Sequence, residues 1–126
     1  MEDLEPPTAN DLAAPTLFLN VRQDGATGVI GLAGEFDHYN RPYVEQAIGQ
    51  LIEDGASAIH LDLGALRFID SAGVMALMVA NQMTDEVGVP LSIGPVSDSV
   101  KRVLDLAGLT DILLPGAGPS DGFPSA

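Results

Sequence analysis

Cysteine is absent from the chain, and basic residues are scarce. The first absence excludes disulfides, thiolate metal sites and thiol nucleophiles, and it is usual in proteins of the reducing cytosol. The second leaves five Lys and Arg against eighteen Asp and Glu, a formal net charge of −13. Such a charge repels nucleic-acid phosphates and anionic membrane surfaces. We therefore predict a basic or mixed-charge protein partner, although the need for solubility is by itself a sufficient reason for the acidity.

Targeting and membrane-spanning segments are also missing. The longest apolar run, residues 72–80, is too short to cross a bilayer. The first twelve residues are acidic and contain proline, whereas a secretory signal peptide begins with a basic stretch. The sequence therefore predicts a soluble, cytoplasmic protein.

Enzyme signatures do not occur either. The chain has no Gly-rich phosphate loop, no Gly-x-Gly-x-x-Gly segment and no Gly-x-Ser-x-Gly segment. The two histidines, His38 and His60, lack metal-ligand spacing, and each fits a surface or strand position better than a ligand. We predict no cofactor, no metal and no catalysis. A hydrolase that uses Ser71 stays open as an alternative, because catalytic triads are assembled in space.

The residues that are present suffice for one folded domain. The chain has 126 residues, of which 46% are hydrophobic, and two domains of half this length would each have too small a core. Residues 1–15 are rich in Glu, Asp and Pro, and residues 115–126 are almost wholly Gly, Pro, Ser, Ala and Asp. We predict flexible tails at both ends and a folded unit over residues 16–114.

Hydrophobic periodicity predicts a hairpin and then a helix in the first half of this unit. Alternation over residues 17–21, a turn at Asp24-Gly25 and an apolar run over residues 28–32 predict the hairpin. Pro42 opens an amphipathic helix that Gly55 closes.

In the second half, strands alternate with helices. We predict a strand over residues 58–63, a helix over residues 71–87, a strand over residues 89–93, a helix capped by Ser97, and a short strand over residues 111–114. Strands joined through helices pair in parallel. The predicted fold class is α/β, with a mixed sheet of about five strands packed against three to four helices.

The segment Asp70-Ser71-Ala72-Gly73 follows a buried strand and opens a helix. Asp and Ser are favoured helix caps, which is a complete structural explanation on these residues alone. The functional alternative is a modification site, because the first turn holds the Ser71 hydroxyl at the positive end of the helix dipole, where a phosphate is accepted. The small Ala72 and Gly73 leave room for a partner's active site.

Two further features have a structural and a functional interpretation. Gly34-Glu35-Phe36-Asp37 ends the second strand with two carboxylates, which are either solvated loop residues or part of a site. The helix after Asp70 has more apolar positions than one buried face requires, notably Met75 and Val79. Either this helix is buried on two sides, or Met75 and Val79 belong to a contact surface.

Taken together, four segments resemble the STAS domain family, above all its bacterial anti-sigma factor antagonists. They are Gly34-Glu35-Phe36-Asp37, Leu61-Asp62-Leu63, Phe68-Ile69-Asp70-Ser71-Ala72-Gly73 and residues 100–109. The resemblance covers the folded unit in order. It implies an unphosphorylated protein that binds an anti-sigma factor, itself an ATP-dependent serine kinase, and thereby releases a sigma factor. Phosphorylation ends this interaction until a phosphatase reverses it.

The resemblance also implies the roles of particular residues. Ser71 corresponds to the phosphoacceptor, Asp70 to the aspartate before it, and Asp37 to an acid that lies near it. These residues form the implied switch surface together with Ala72, Gly73 and Met75.

The motif departs from the family pattern at two positions. Phe36 replaces a common leucine, which changes packing, and Ala72 replaces a frequent second hydroxyl residue. Ser71 is therefore the only hydroxyl in the motif. The alternative role for such a domain is a scaffold or regulatory subunit of a stress-signalling or transporter complex, without a sigma-factor circuit.

Overall fold

The computed structural model describes residues 16–113, which form a four-stranded sheet and four helices. In chain order these elements are β1 (Leu17–Asp24), β2 (Thr27–Phe36), α1 (Arg41–Glu53), β3 (Ala58–Ile69), α2 (Ser71–Glu86), β4 (Leu91–Val96), α3 (Asp98–Leu106) and α4 (Thr110–Leu113). The strands lie in the order β1-β2-β3-β4, with β1 antiparallel to β2 and the other two pairs parallel. The predicted α/β fold with a mixed sheet is confirmed. The predicted tails and Leu114 lie outside the described residues.

One hydrophobic core lies between the sheet and the helices. Alternate residues of β2 and β3, such as Ile30, Leu61 and Leu63, are fully buried and share this core with Ile48 of α1 and Leu77 of α2. Side chains alternate between the two faces of a strand, so the intervening residues point to the opposite face of the sheet. The described helices therefore cover one face.

β3 is longer than the sequence predicted. The strand was expected to end at residue 63, but residues 64–69 continue it and pair with the end of β2. The pairing includes register irregularities near Gly31 and Gly34, which local periodicity does not reveal. As a consequence β3 and β2 end side by side, Ile69 opposite Phe36, and deliver Asp70 directly to the start of α2.

The prediction of a final strand over residues 111–114 is wrong for the part that the structure describes. Residues 110–113 form the helical turn α4, in which the Leu113 N–H donates to the Leu109 carbonyl at 2.9 Å. The Thr110 hydroxyl donates to the Asp105 carboxylate, and this bond, together with Lys101, lowers the pKa of Asp105. A short apolar run fits a buried helical turn as well as a strand, so periodicity could not decide between them.

None of the helices in residues 16–113 has the length and hydrophobicity needed to span a membrane.

Candidate functional site

Asp70 is the N-cap of α2. Its backbone is extended, and its Oδ1 accepts a hydrogen bond from the Gly73 N–H at 2.8 Å. The first helical hydrogen bond runs from the Val74 N–H to the Asp70 carbonyl at 3.0 Å. The predicted capping role therefore belongs to Asp70, and Ser71 is the first residue inside the helix.

The Ser71 side chain is exposed, and its hydroxyl makes no hydrogen bond to any described residue. The other serines within residues 16–113 each use their hydroxyl in a hydrogen bond: Ser57 to Ala26, Ser92 to His60, Ser97 to Leu66 and Ser99 to Arg67. Ser71 is thus the one serine of the described part of the chain whose hydroxyl is both exposed and unengaged.

The end of β2 is attached to the start of α2 by two hydrogen bonds. The Asp70 N–H donates to the Phe36 carbonyl at 3.2 Å, and the His38 N–H donates to Asp70 Oδ2 at 3.2 Å. Both carboxylate oxygens of Asp70 therefore hold backbone groups, one in α2 and one in the β2–α1 loop. This holds the loop that carries Asp37 against Asp70, the residue before Ser71.

Gly73 is buried where these two segments meet. A Cβ atom at this position would lie 2.7 Å from the Phe36 carbonyl oxygen and 2.7 Å from Ile69 Cγ1. Real Cβ atoms do not approach other heavy atoms so closely, and the backbone at Phe36 is fixed by its pairing with β3. A glycine is therefore required by the close contact between α2 and the end of β2.

Asp37 organises the loop between β2 and α1. Its Oδ1 accepts hydrogen bonds from the Tyr39 N–H at 3.0 Å and from the Asn40 N–H at 3.1 Å. The Asn40 side chain bonds to Asp37 in turn: its Oδ1 accepts a hydrogen bond from the Asp37 N–H at 2.9 Å. Its Nδ2 also donates to the Glu35 carbonyl at 2.8 Å and to Thr16 Oγ1 at 3.2 Å.

Asn40 was not identified from the sequence, although it is only 8% exposed and makes the contacts that hold the Asp37 loop. Its position at the start of α1 is typical of a helix cap, and that role would need no further explanation. The structure shows no capping bond from its side chain. Its partners Glu35 and Thr16 lie outside α1, so no local pattern points to them.

Exposed apolar side chains lie on α2, on the β2–α1 loop and on α1. Met75 is 56% exposed and Val79 is 39% exposed, so burial on two sides is the wrong explanation for these positions. Ala72 is half-buried. Tyr39 in the loop and Tyr43 at the start of α1 were not identified from the sequence, and they are 86% and 63% exposed. We call Met75, Val79, Tyr39 and Tyr43 the apolar rim of the site.

We predict that Asn40→Ala loosens the Asp37 loop. The substitution leaves the Asp37 N–H and the Glu35 carbonyl without their partner, which should lower the free energy of unfolding by about 1–3 kcal/mol. Urea denaturation measures this loss, and hydrogen exchange should show faster exchange at the Asp37 amide. Asn81→Ala on α2 is the control, since no described hydrogen bond involves its side chain. Equal stability of the two variants would contradict the role given to Asn40.

Comparison with known proteins identifies the family of this chain. The chain matches the STAS domain over residues 18–120. The anti-sigma-B factor antagonist of Bacillus subtilis is 27% identical over 95 residues, which cover 75% of this chain and 86% of that protein. An anti-sigma factor antagonist from Mycobacterium paratuberculosis has a similar crystal structure, with a TM-score of 0.66, 26% identity and coverage of 82% of this chain and 88% of that one.

A third similar protein is the Bacillus cell fate determinant SpoIIAA, solved in its phosphorylated form. Its TM-score is 0.60 at 26% identity, with 73% of this chain and 85% of that chain covered. The resemblance that the sequence motifs indicated is confirmed by these matches. Because the family match extends over most of its length, the chain belongs to the STAS domain family.

Proposed function

We propose that this protein is an anti-sigma factor antagonist whose binding surface is switched off by phosphorylation of Ser71. In its unphosphorylated form it binds an anti-sigma factor that is also a serine kinase, so that a sigma factor is released. A phosphatase restores the binding form. The observation that carries the proposal is the exposed, unengaged hydroxyl of Ser71 at the first turn of α2.

Phosphorylation at this position is compatible with the fold. The phosphate would lie at the N-terminus of a sixteen-residue helix, where backbone N–H groups and the helix dipole favour negative charge. Ser71 itself holds no neighbouring segment in place, whereas Asp70 and Gly73 do. The added group therefore changes the surface and leaves the attachment of α2 to β2 intact.

The chemical step belongs to the partner. In the proposed reaction the Ser71 Oγ attacks the γ-phosphorus of ATP bound by the kinase, the bond to ADP breaks, and the hydroxyl proton passes to a base on the kinase. This chain contributes the nucleophilic oxygen and the surface that docks. The apolar rim supplies contact area around the hydroxyl, and its methionine and tyrosines are residue types that suit protein interfaces.

The test is phosphosite mapping with the anti-sigma factor kinase of the source organism and ATP. We expect one phosphate on the intact chain, located at Ser71 by mass spectrometry, and none on Ser71→Ala. Ser57→Ala, which removes another exposed serine hydroxyl, should be phosphorylated like the unchanged protein. Phosphate on a different residue, or equal incorporation into Ser71→Ala, would overturn the assignment.

A pull-down with Ser71→Ala as bait tests the partner class. Recovery of a kinase that binds ATP, followed by displacement of a sigma factor from that kinase by the purified chain, would support the proposal. Recovery of a membrane complex, with no sigma-factor displacement, would instead assign the domain to a scaffold or transporter-associated role.

A further inference from the structure

The sheet face opposite the helices carries a groove. Cross-strand pairing aligns Phe18, Ala33 and Ala65 in one row across β1, β2 and β3. Gly31 and the two alanines have little or no side chain, and the space above them is a groove of about 390 Å³. Phe18, at its edge, is 59% exposed. Within residues 16–113 the helices pack on the other face of the sheet, and an aromatic side chain forms one wall of this groove.

Opposite charges lie on the two sides of this groove. Arg22 is on β1 and pairs with Val29, while Asp62 is on β3 and pairs with Gly31. Within the described residues Arg22 has no carboxylate within 4.0 Å, and Asp62 uses only Oδ1, which accepts from the Gly64 N–H at 2.9 Å. Standard strand spacings put the backbones of the two residues about 12 Å apart, and their side chains form no ion pair with each other.

We infer that this face binds a second copy of the same chain, with Arg22 of each copy opposite Asp62 of the other. A two-fold axis that lies between the two sheets, parallel to them, and bisects the line from Arg22 to Asp62 at a right angle forms both charge pairs at once. With standard strand spacings, the same axis places the two Phe18 side chains against each other. One symmetric arrangement therefore pairs the opposite charges and also brings the two Phe18 rings into contact.

The area of this sheet face determines how strongly two copies are expected to associate. Four strands at about 4.8 Å spacing and about 26 Å length offer roughly 500 Å² per copy. This is below the area of about 800 Å² per partner that is usual in stable complexes, so the dimer should be weak, with a dissociation constant in the micromolar range or above. Each copy keeps its helix layer, including Ser71, on the outside of such a dimer.

The test is analytical ultracentrifugation of the full chain over a concentration series. We expect the mass to rise from that of one 13.1 kDa chain toward twice this value. Arg22→Asp and Asp62→Arg each turn two attractive pairs into two repulsive ones and should weaken self-association by at least about tenfold. Circular dichroism establishes that each variant is folded. If Asp62→Arg does not fold, Asp62→Asn replaces it, because asparagine keeps a side-chain oxygen that accepts from the Gly64 N–H.

Mixing the Arg22→Asp and Asp62→Arg variants gives the decisive measurement. In the mixed dimer one copy presents a carboxylate at both positions and the other presents a guanidinium at both. Both pairs are then attractive, and a heterodimer should form although neither variant self-associates. Arg102→Asp makes the same charge change on α3, away from the sheet face, and should leave the dimer unchanged. A chain that stays monomeric throughout, a mixture that does not associate, or equal weakening by Arg102→Asp would overturn the inference.

Discussion

Ser71→Asp is expected to weaken binding of the anti-sigma factor by more than about a hundredfold. A unit charge about 5 Å from a like charge of the partner, at an effective dielectric of about 20, costs roughly 3 kcal/mol, and about 1.4 kcal/mol is a factor of ten. Phosphoserine should have a larger effect, since it carries about −1.5 to −2 charges near neutral pH. Ser71→Ala should bind as the unchanged protein does. Isothermal titration calorimetry with the purified anti-sigma factor measures these affinities.

Ser71→Asn is the matched control, because asparagine has nearly the size and shape of aspartate but no charge. If charge is the cause, Ser71→Asn binds far more tightly than Ser71→Asp, and the difference shrinks as salt screens the repulsion. The aspartate variant should also be as stable as the unchanged protein or slightly more so, because negative charge in the first turn of a helix is favourable. Equal binding by both variants, or unfolding of Ser71→Asp, would argue against an electrostatic switch.

Gly73→Ala is expected to lower the free energy of unfolding by about 2–4 kcal/mol, although alanine is the better helix former by about 1 kcal/mol. The new Cβ would lie 2.7 Å from the Phe36 carbonyl oxygen, a backbone atom that also accepts the Asp70 N–H. The start of α2 and the end of β2 must therefore move apart. Urea denaturation measures the loss, and binding of the anti-sigma factor should fall with it because the surface around Ser71 is displaced.

Gly49→Ala separates this contact from the general effect of replacing a helical glycine. Gly49 lies in α1, and the nearest atom to a Cβ there would be Met83 Cε at 4.0 Å, an ordinary contact. We expect this variant to gain about 0.5–1 kcal/mol of stability from helix propensity. Opposite signs for the two substitutions support the close-contact explanation. Stabilisation by both would show that the helix can accommodate a methyl group at residue 73.

The elements that were predicted correctly are those that local chemistry determines. The hairpin follows from Asp24-Gly25, and Gly25 adopts the positive φ of 65° that its turn requires. Gly55, which was expected to end α1, has a positive φ of 91°, and Gly88, which follows the predicted end of the next helix at residue 87, has a φ of 72°. Ser97 caps α3 as predicted, with its Oγ accepting from the Val100 N–H.

The features that were missed depend on residues far apart in the chain. The extension of β3 needs the end of β2 as its partner, and α4 is held by Asp105 of α3. At the site, the cap at Asp70 was predicted because an aspartate just before a helix is a local signal for an N-cap. The hydrogen bonds of the Asn40 side chain were not predicted, because one of its partners, Thr16, lies 24 residues away in the sequence.

The attachment of α2 to the end of β2 has a consequence for recognising switches among relatives of this chain. The fold itself requires Asp70 and Gly73. Asp70 accepts hydrogen bonds from two backbone segments, and Gly73 allows α2 to lie close to the end of β2. A related protein without any regulation by phosphorylation would still need Asp70 and Gly73 in order to fold. The Ser71 side chain holds no neighbouring segment in place. If the proposed function is correct, the residue at position 71 therefore distinguishes a switchable relative from one without the switch.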